Sequence, residues 1–404
     1  MAKVTPFAAL RPDPALAARV CELPYDVMSS AEARVIAAGN PLSFLRVSKP
    51  EIELPDDTDP HADAVYAKGR ENFQRLIAEG VLRRDPTPVF HLYRQVMGDH
   101  AQTGLVALAS CEEYLANIVR KHELTRPDKE DDRLRHIETL NAQTGPVFLT
   151  YQAVPAIDAL VDRITAGAPE IDFTASDGVR HSSWPVADAA DIALLQGEFA
   201  RMPALYIADG HHRSAAAGRV FRNRNGTGGS AGFLTVIFPH NQLKILPYNR
   251  VLKDLNGRTG DELLAALARV FIISGAGNPS PAAKHQAALY LAGEWHGLVF
   301  RPECIRGRSA INSLDVSLLQ SEVLAPLFGI DNPRTSQRIA FVGGIRGTAE
   351  LEKLVDSGEY ACAFSMFPTG IGDLMDIADN GGIMPPKSTW FEPKLRDAMF
   401  CHLL

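Results

Sequence analysis

The chain has 404 residues and a formal charge of −7 at pH 7. It is 46 % hydrophobic and 22 % charged, proportions of a globular protein with room for two domains. Acidic and basic residues are interspersed, and the densest basic stretch, Arg120 to Arg126, runs straight into Asp128-Lys129-Glu130-Asp131-Asp132, which argues against a nucleic-acid binder. Five scattered cysteines without Cys-x-x-Cys spacing support neither a disulfide scaffold nor a structural zinc site; no apolar run reaches bilayer length and Met1 to Phe7 lacks a secretory core, so a cytoplasmic protein is expected.

Taken in order, Ser30 is placed to cap a helix through Glu32 to Ala38, ended by Asn40-Pro41. Phe44 to Val47 reads as a short strand. Asp26, Arg46 and Lys49 nearby read either as pocket residues or as surface ion pairs. Val65, Phe73, Leu76 and Ile77 share one side of a helix over 64–80. Val89 to Val96 and Gly104 to Ala109 form a hairpin turning at Gly98-Asp99-His100.

A helix over 112–118 leads into the polar region. His122-Glu123 stands before the next helix, where a carboxylate can act as a base. Arg126 occupies the place of a second histidine, so this is not His-Glu-x-x-His. Asp132 and His136, four apart, share a helix side that faces either a ligand or solvent. Pro146 to Tyr151 reads as a buried strand. The expected division gives an N-terminal lobe over 1–175, contributing polar pocket residues, and a second lobe over 176–404.

Within that second lobe, Ala204 to Ile207 reads as a buried strand and Ser214 to Phe221 as a helix, joined by Asp209-Gly210-His211-His212-Arg213. Gly210 permits a sharp strand-to-helix turn. Free amides at the helix start and the Arg213 fork suit a phosphate, Asp209 suits a magnesium ion, and the histidines suit proton movement. Each polar residue alone is as readily a helix cap or a satisfied core group; four around one glycine point to a functional centre. Arg222 to Ser230 reads as a loop, Phe233 to Phe238 as a strand paired by Leu243 to Leu246, and Asp261 to Phe271 as a helix. Strands follow near Ala288 to Tyr290 and His296 to Phe300, then a helix over 316–328 with Asp315 as its cap. A strand over 339–342 enters the glycine turn Gly343 to Gly347, followed by a strand over 361–367 and a helix over 372–379. Lys387, Ser388 and Thr389 form a turn able to bind anions.

Taken together, Pro24-Tyr25-Asp26-Val27, Lys49-Pro50-Glu51, His122-Glu123-Leu124-Thr125, Asp132 to His136, Asp209 to Arg213, Leu246 to Arg250 and Met384 to Thr389 resemble the bacterial domain-of-unknown-function 1015 family over nearly the whole chain. The Asp-Gly-His-His-Arg stretch also resembles the phosphate-binding turn of the ParB/sulfiredoxin superfamily, which includes free-serine kinases. The resemblance implies an α+β fold with mixed sheets, flanking helices and a ParB/sulfiredoxin-like core around that turn. It implies a magnesium-dependent kinase passing phosphate from ATP or ADP to free L-serine or a similar hydroxyl metabolite. Glu123, Asp209, His211 and His212 would then be catalytic, with Asp209 on Mg²⁺; Gly210, Arg213, Asp132, Arg133, His136, Lys387 and Ser388 would bind the nucleotide. Sulfiredoxin chemistry needs a cysteine where His211 stands. The alternatives are a phosphohydrolase of a small phosphometabolite and a nucleotide- or phosphometabolite-binding protein without turnover.

Overall fold

The computed structural model describes residues 2–275 and 277–404. The chain forms two compact units, one of residues up to Leu243 together with Pro393–Leu404, the other Lys244–Glu392. The expected division at 175 falls inside a hairpin of the first unit, where Ile171–Thr174 pairs with Arg180–Val186. The C-terminal residues rejoin the first unit, a long-range return that no local pattern signals.

The first unit is built on a nine-stranded mixed sheet. Its order is Val119–Arg120, Leu205–Asp209, Val147–Tyr151, Gly232–Pro239, His100–Ser110, Phe90–Met97, Arg180–Val186 and Ile171–Thr174, with Val4–Thr5 paired to His100–Ser110. Leu205–Asp209 runs parallel to Val119–Arg120, and Val147–Tyr151 runs parallel to Gly232–Pro239, whereas the remaining pairs are antiparallel. Mixed sheets flanked by helices are thus the observed class. The site-bearing strand, Val147–Tyr151 and most of Gly232–Pro239 are buried at nearly every position, the near-continuous apolar run of strands covered on both faces.

Helix Pro127–Leu140 packs against helix His211–Asn223, whose Ala215, Ala216, Ala217 and Gly218 are buried. A Cβ at Gly218 would lie 3.1 Å from the Tyr114 ring, so the small residues set how closely this helix approaches its neighbours.

Several local expectations change. Phe44 to Val47 is not a strand: Leu45–Ser48 is a helical turn, with Ser48 N–H donating to the Phe44 carbonyl. Phe44 and Val47, three apart, both enter the cluster around Phe73 and Leu76, so helical spacing prevails over alternation. The cap of the preceding helix, Ser30–Ala37, is Ser29, in a reciprocal box with Glu32, while the Ser30 hydroxyl donates to Glu51. Arg46 pairs with Glu53 and Lys49 with Glu51, the ion-pair reading of that segment.

The second unit holds a six-stranded sheet ordered Phe271–Ser274, Glu294–Phe300, Gln286–Leu291, Cys362–Met366, Tyr248–Leu252, Ile339–Gly343. Lys244–Leu246 pairs with Trp390–Glu392 rather than with the strand over 233–238. Helix Gly260–Leu267 stops early because Phe271 enters the sheet, and a cap at Thr259 opens it. Asp315 caps nothing with its side chain; its carboxylate accepts from the His285 backbone N–H and pairs with the His285 ring.

Candidate functional site

The strand Leu205–Asp209 delivers the site. Its register against Val147–Tyr151 shifts between Ile207 and Asp209, an irregularity that re-aims the strand end. Gly210 follows with φ 95° and ψ 30°, left-handed backbone that a side chain strains, and helix His211–Asn223 starts at once. A Cβ at Gly210 would also sit 3.1 Å from Arg213 Nε. Gly210→Ala should therefore lower stability by about 1–2 kcal/mol, read as a lower unfolding midpoint. An unchanged midpoint would mean that the turn tolerates other backbone angles.

Asp209 is held on two sides. Its Oδ1 accepts the Gly210 N–H at 2.7 Å and its Oδ2 meets Lys394 Nζ at 2.9 Å. Burial pushes this carboxyl up, but Lys394 and Arg213 outweigh it, and Asp209 stays ionised far below the usual carboxylate range. About a third of its side chain, 32 %, remains exposed, so a ligand can reach it. Arg213 donates to the Pro146 carbonyl. Burial lowers its pKa, but Asp26, Asp209 and Asp397 raise it on balance.

Beside this turn stand His122, Glu123 and His211, whose candidate ligand atoms lie within 4.8 Å of one another. Glu123 Oε2 is 4.0 Å from His211 Nδ1, and the two imidazoles meet edge to face with centroids 4.5 Å apart. Burial, above all, keeps His122 down at about 4; burial with the neighbouring His122 holds His211 well below its ordinary value. Both rings are neutral at pH 7.

His212, expected to join the chemistry, is turned to a structural partner: its Nε2 accepts the Arg126 N–H at 3.1 Å, immediately before helix Pro127–Leu140. Asp132 accepts from the Tyr66 hydroxyl at 2.7 Å and pairs with Arg133 at 2.6 Å. The His136 ring meets the Val47 carbonyl at 3.1 Å. Asp132 is thus satisfied away from the turn. Arg133 and His136, in contrast, line a small cavity with Tyr25, Gly145, Arg213 and Asp397. That cavity has a volume of about 30 Å³, room for about one or two waters. Lys387 and Ser388 belong to the second unit. There Lys387 lies over the Tyr248 ring and the Ser388 hydroxyl donates to the Pro385 carbonyl.

Sequence reasoning missed Lys394 and Asp397. Asp397 is buried, and burial, helped by Asp26 and Glu22 and opposed by Arg213 and Arg133, pushes its carboxyl up to about 7. Gly145 makes room for it, since a Cβ there would lie 2.5 Å from Asp397 Oδ1. The available signal was Lys394-Leu395-Arg396-Asp397, three charges set in an otherwise apolar tail.

No curated protein is detectably similar in sequence. In three dimensions the chain is similar to a free serine kinase in complex with AMP, at 12 % identity and TM-score 0.36, over 71 % of this chain and 86 % of that one. It is similar to a conserved hypothetical protein from Pyrococcus furiosus, at 13 % identity and TM-score 0.36, over 72 % and 93 %. It is also similar to SbnI with a C-terminal truncation from Staphylococcus aureus, at 10 % identity and TM-score 0.40, over 72 % and 85 %. Likenesses this distant carry no argument about chemistry, which rests on the residues themselves. Residues 4–317 match the family described as "Protein of unknown function (DUF1015)", and the chain belongs to that family.

Proposed function

We propose that this chain is a small-molecule phosphotransferase, passing phosphate from ATP or ADP to free L-serine or a similar hydroxyl metabolite. One observation carries the reading. An ionised, reachable Asp209, the cations Lys394 and Arg213, and the Glu123–His211 pair surround the start of one helix within one unit. Phosphoryl transfer requires alignment and charge stabilisation more than covalent help, and this set supplies both.

In this reading the first amides of helix His211–Asn223, free of intrahelical partners, receive phosphate oxygens. Arg213 and Lys394 offset the negative charge of the group in transit. Glu123, 37 % exposed, receives the acceptor hydroxyl proton, and neutral His211 beside it orients that hydroxyl. Magnesium, when bound with the nucleotide, would neutralise phosphate charge; Asp209 fits it as an ionised oxygen donor, sharing its carboxylate with Lys394. The water-sized cavity behind Arg213 is no seat for a nucleobase, so Arg133 offsets the charge of Asp397 there and His136 stays with the Val47 carbonyl instead of gripping the nucleotide.

The test is incubation with Mg²⁺ and ATP or ADP against a panel of hydroxyl metabolites including L-serine, with phosphorylated products detected by mass. The expected product is O-phosphoserine or a close analogue; none with either nucleotide sinks the proposal. Phosphate released from phosphomonoesters without an acceptor would make it a phosphohydrolase. Glu123→Gln should lower kcat by about 10²–10⁴-fold with the unfolding midpoint unchanged. An unaltered kcat would remove Glu123 from proton transfer.

A further inference from the structure

His122 and His211 are 2 % and 5 % exposed; among the described residues both nitrogens of His122 and Nε2 of His211 lack a well-formed hydrogen bond, the Ile207 backbone lying near His122 without closing one. An orphaned buried polar atom costs about 1–3 kcal/mol, so three in one spot call for a ligand. They adjoin the Glu123 carboxylate, with the candidate donor atoms of the three residues within 4.8 Å of one another.

We propose that His122, Glu123 and His211 form a binding site for a first-row divalent cation of the zinc class. Two imidazole nitrogens and one carboxylate are a nitrogen-rich set. Magnesium, which takes oxygen ligands and keeps its waters, is poorly served by it; zinc, cobalt and their neighbours are well served. Asp209 adds negative charge nearby, while Lys121 opposes a cation. The three residues come from two places in the sequence, His122-Glu123 and His211. No His-Glu-x-x-His pattern announces them: the strand pairing of Leu205–Asp209 with Val119–Arg120 brings the two segments together. The inference goes beyond the phosphotransferase reading and does not require it. A bound ion makes the Glu123 carboxylate a weaker proton acceptor, so a zinc-class ion would inhibit the proposed transfer until it is removed.

The experiment titrates chelator-treated full-length protein with Co²⁺, followed by visible d–d absorption, and with Zn²⁺ by calorimetry, without nucleotide or hydroxyl substrate. The expected result is one tightly held ion per chain, with Mg²⁺ unable to displace it. Glu123→Gln should weaken it by about 10–100-fold or more, and His211→Gln likewise. Because a histidine variant can fail to fold, far-ultraviolet circular dichroism accompanies each, and the partly exposed Glu123 variant decides the matter if the other unfolds. Absence of cobalt absorption, Mg²⁺ binding there in place of Zn²⁺, or Zn²⁺ affinity unchanged in folded Glu123→Gln overturns the proposal. None of these outcomes depends on kinase turnover, and a failed kinase assay leaves this site standing.

Discussion

Asp209→Asn should lower phosphoryl transfer by about 10²–10⁴-fold and raise the Mg²⁺ concentration the reaction needs, while leaving the affinity for Mg²⁺-free nucleotide equal or higher. Asparagine keeps an oxygen for the Gly210 N–H but removes the charge that Lys394 and Arg213 now balance. The released positive potential favours a bound phosphate in the ground state, so the Kd for nucleotide without Mg²⁺ should fall. The structural loss should be modest, because Asp209 is 32 % exposed and water can solvate Lys394 when its partner goes. Comparing Asp209→Asn, Lys394→Met and the double variant separates the two effects: if the residues act as one unit, the double variant is no slower than Asp209→Asn alone. Turnover within about threefold of the parent, well inside the range a catalytic carboxylate commands, would place Asp209 outside the reaction.

The centre of this site was legible because its chemistry is contiguous. Asp209 to Arg213 is one strand-turn-helix corner, and glycine among buried apolar residues marks it without any tertiary information. Glu123 was legible only as a neighbour in kind; its approach to His211 at 4.0 Å depends on a parallel pairing between distant strands. The charged tail at Lys394 to Asp397 was illegible for the same reason, since its return to the first unit is a non-local event. Asp132 and His212 misled because a polar side chain on a helix looks alike whether it meets a ligand, a tyrosine hydroxyl or a backbone N–H. Lys387 and Ser388 show an anion-binding composition in a turn where the lysine lies over the Tyr248 ring and the serine hydroxyl donates to the Pro385 carbonyl. The Phe44 to Val47 turn shows how short apolar runs mislead, as four residues carry too little periodicity to separate a strand from a helical turn.

Asp397→Asn should change how stability depends on pH more than any other single substitution near the site. The Asp397 carboxyl, 3 % exposed, is pushed up to about 7, whereas in the unfolded chain it titrates near about 3.9. Between those values the native chain holds a proton that the unfolded chain has released, so stability falls as pH rises through the window and levels off above about 7. At about 1.4 kcal/mol per pH unit the full swing is at most about 4 kcal/mol, the pull of the arginines on the ionised form being already contained in the value of about 7. The groups facing Asp397 are Arg213 and Arg133, which favour ionisation, and Asp26 and Glu22, which oppose it. Asparagine is neutral throughout and close in shape to the protonated acid, so the variant should match the parent at about pH 3.5 and become relatively more stable toward about pH 7.5, as thermal unfolding at both pH values would report. A variant that loses ground as pH rises would mean that the Arg213 and Arg133 pairing dominates and Asp397 is ionised throughout. The sign matters for the site as well as for the fold: a carboxyl that ionises near neutrality against Arg213 changes how much positive charge that arginine can turn toward a phosphate.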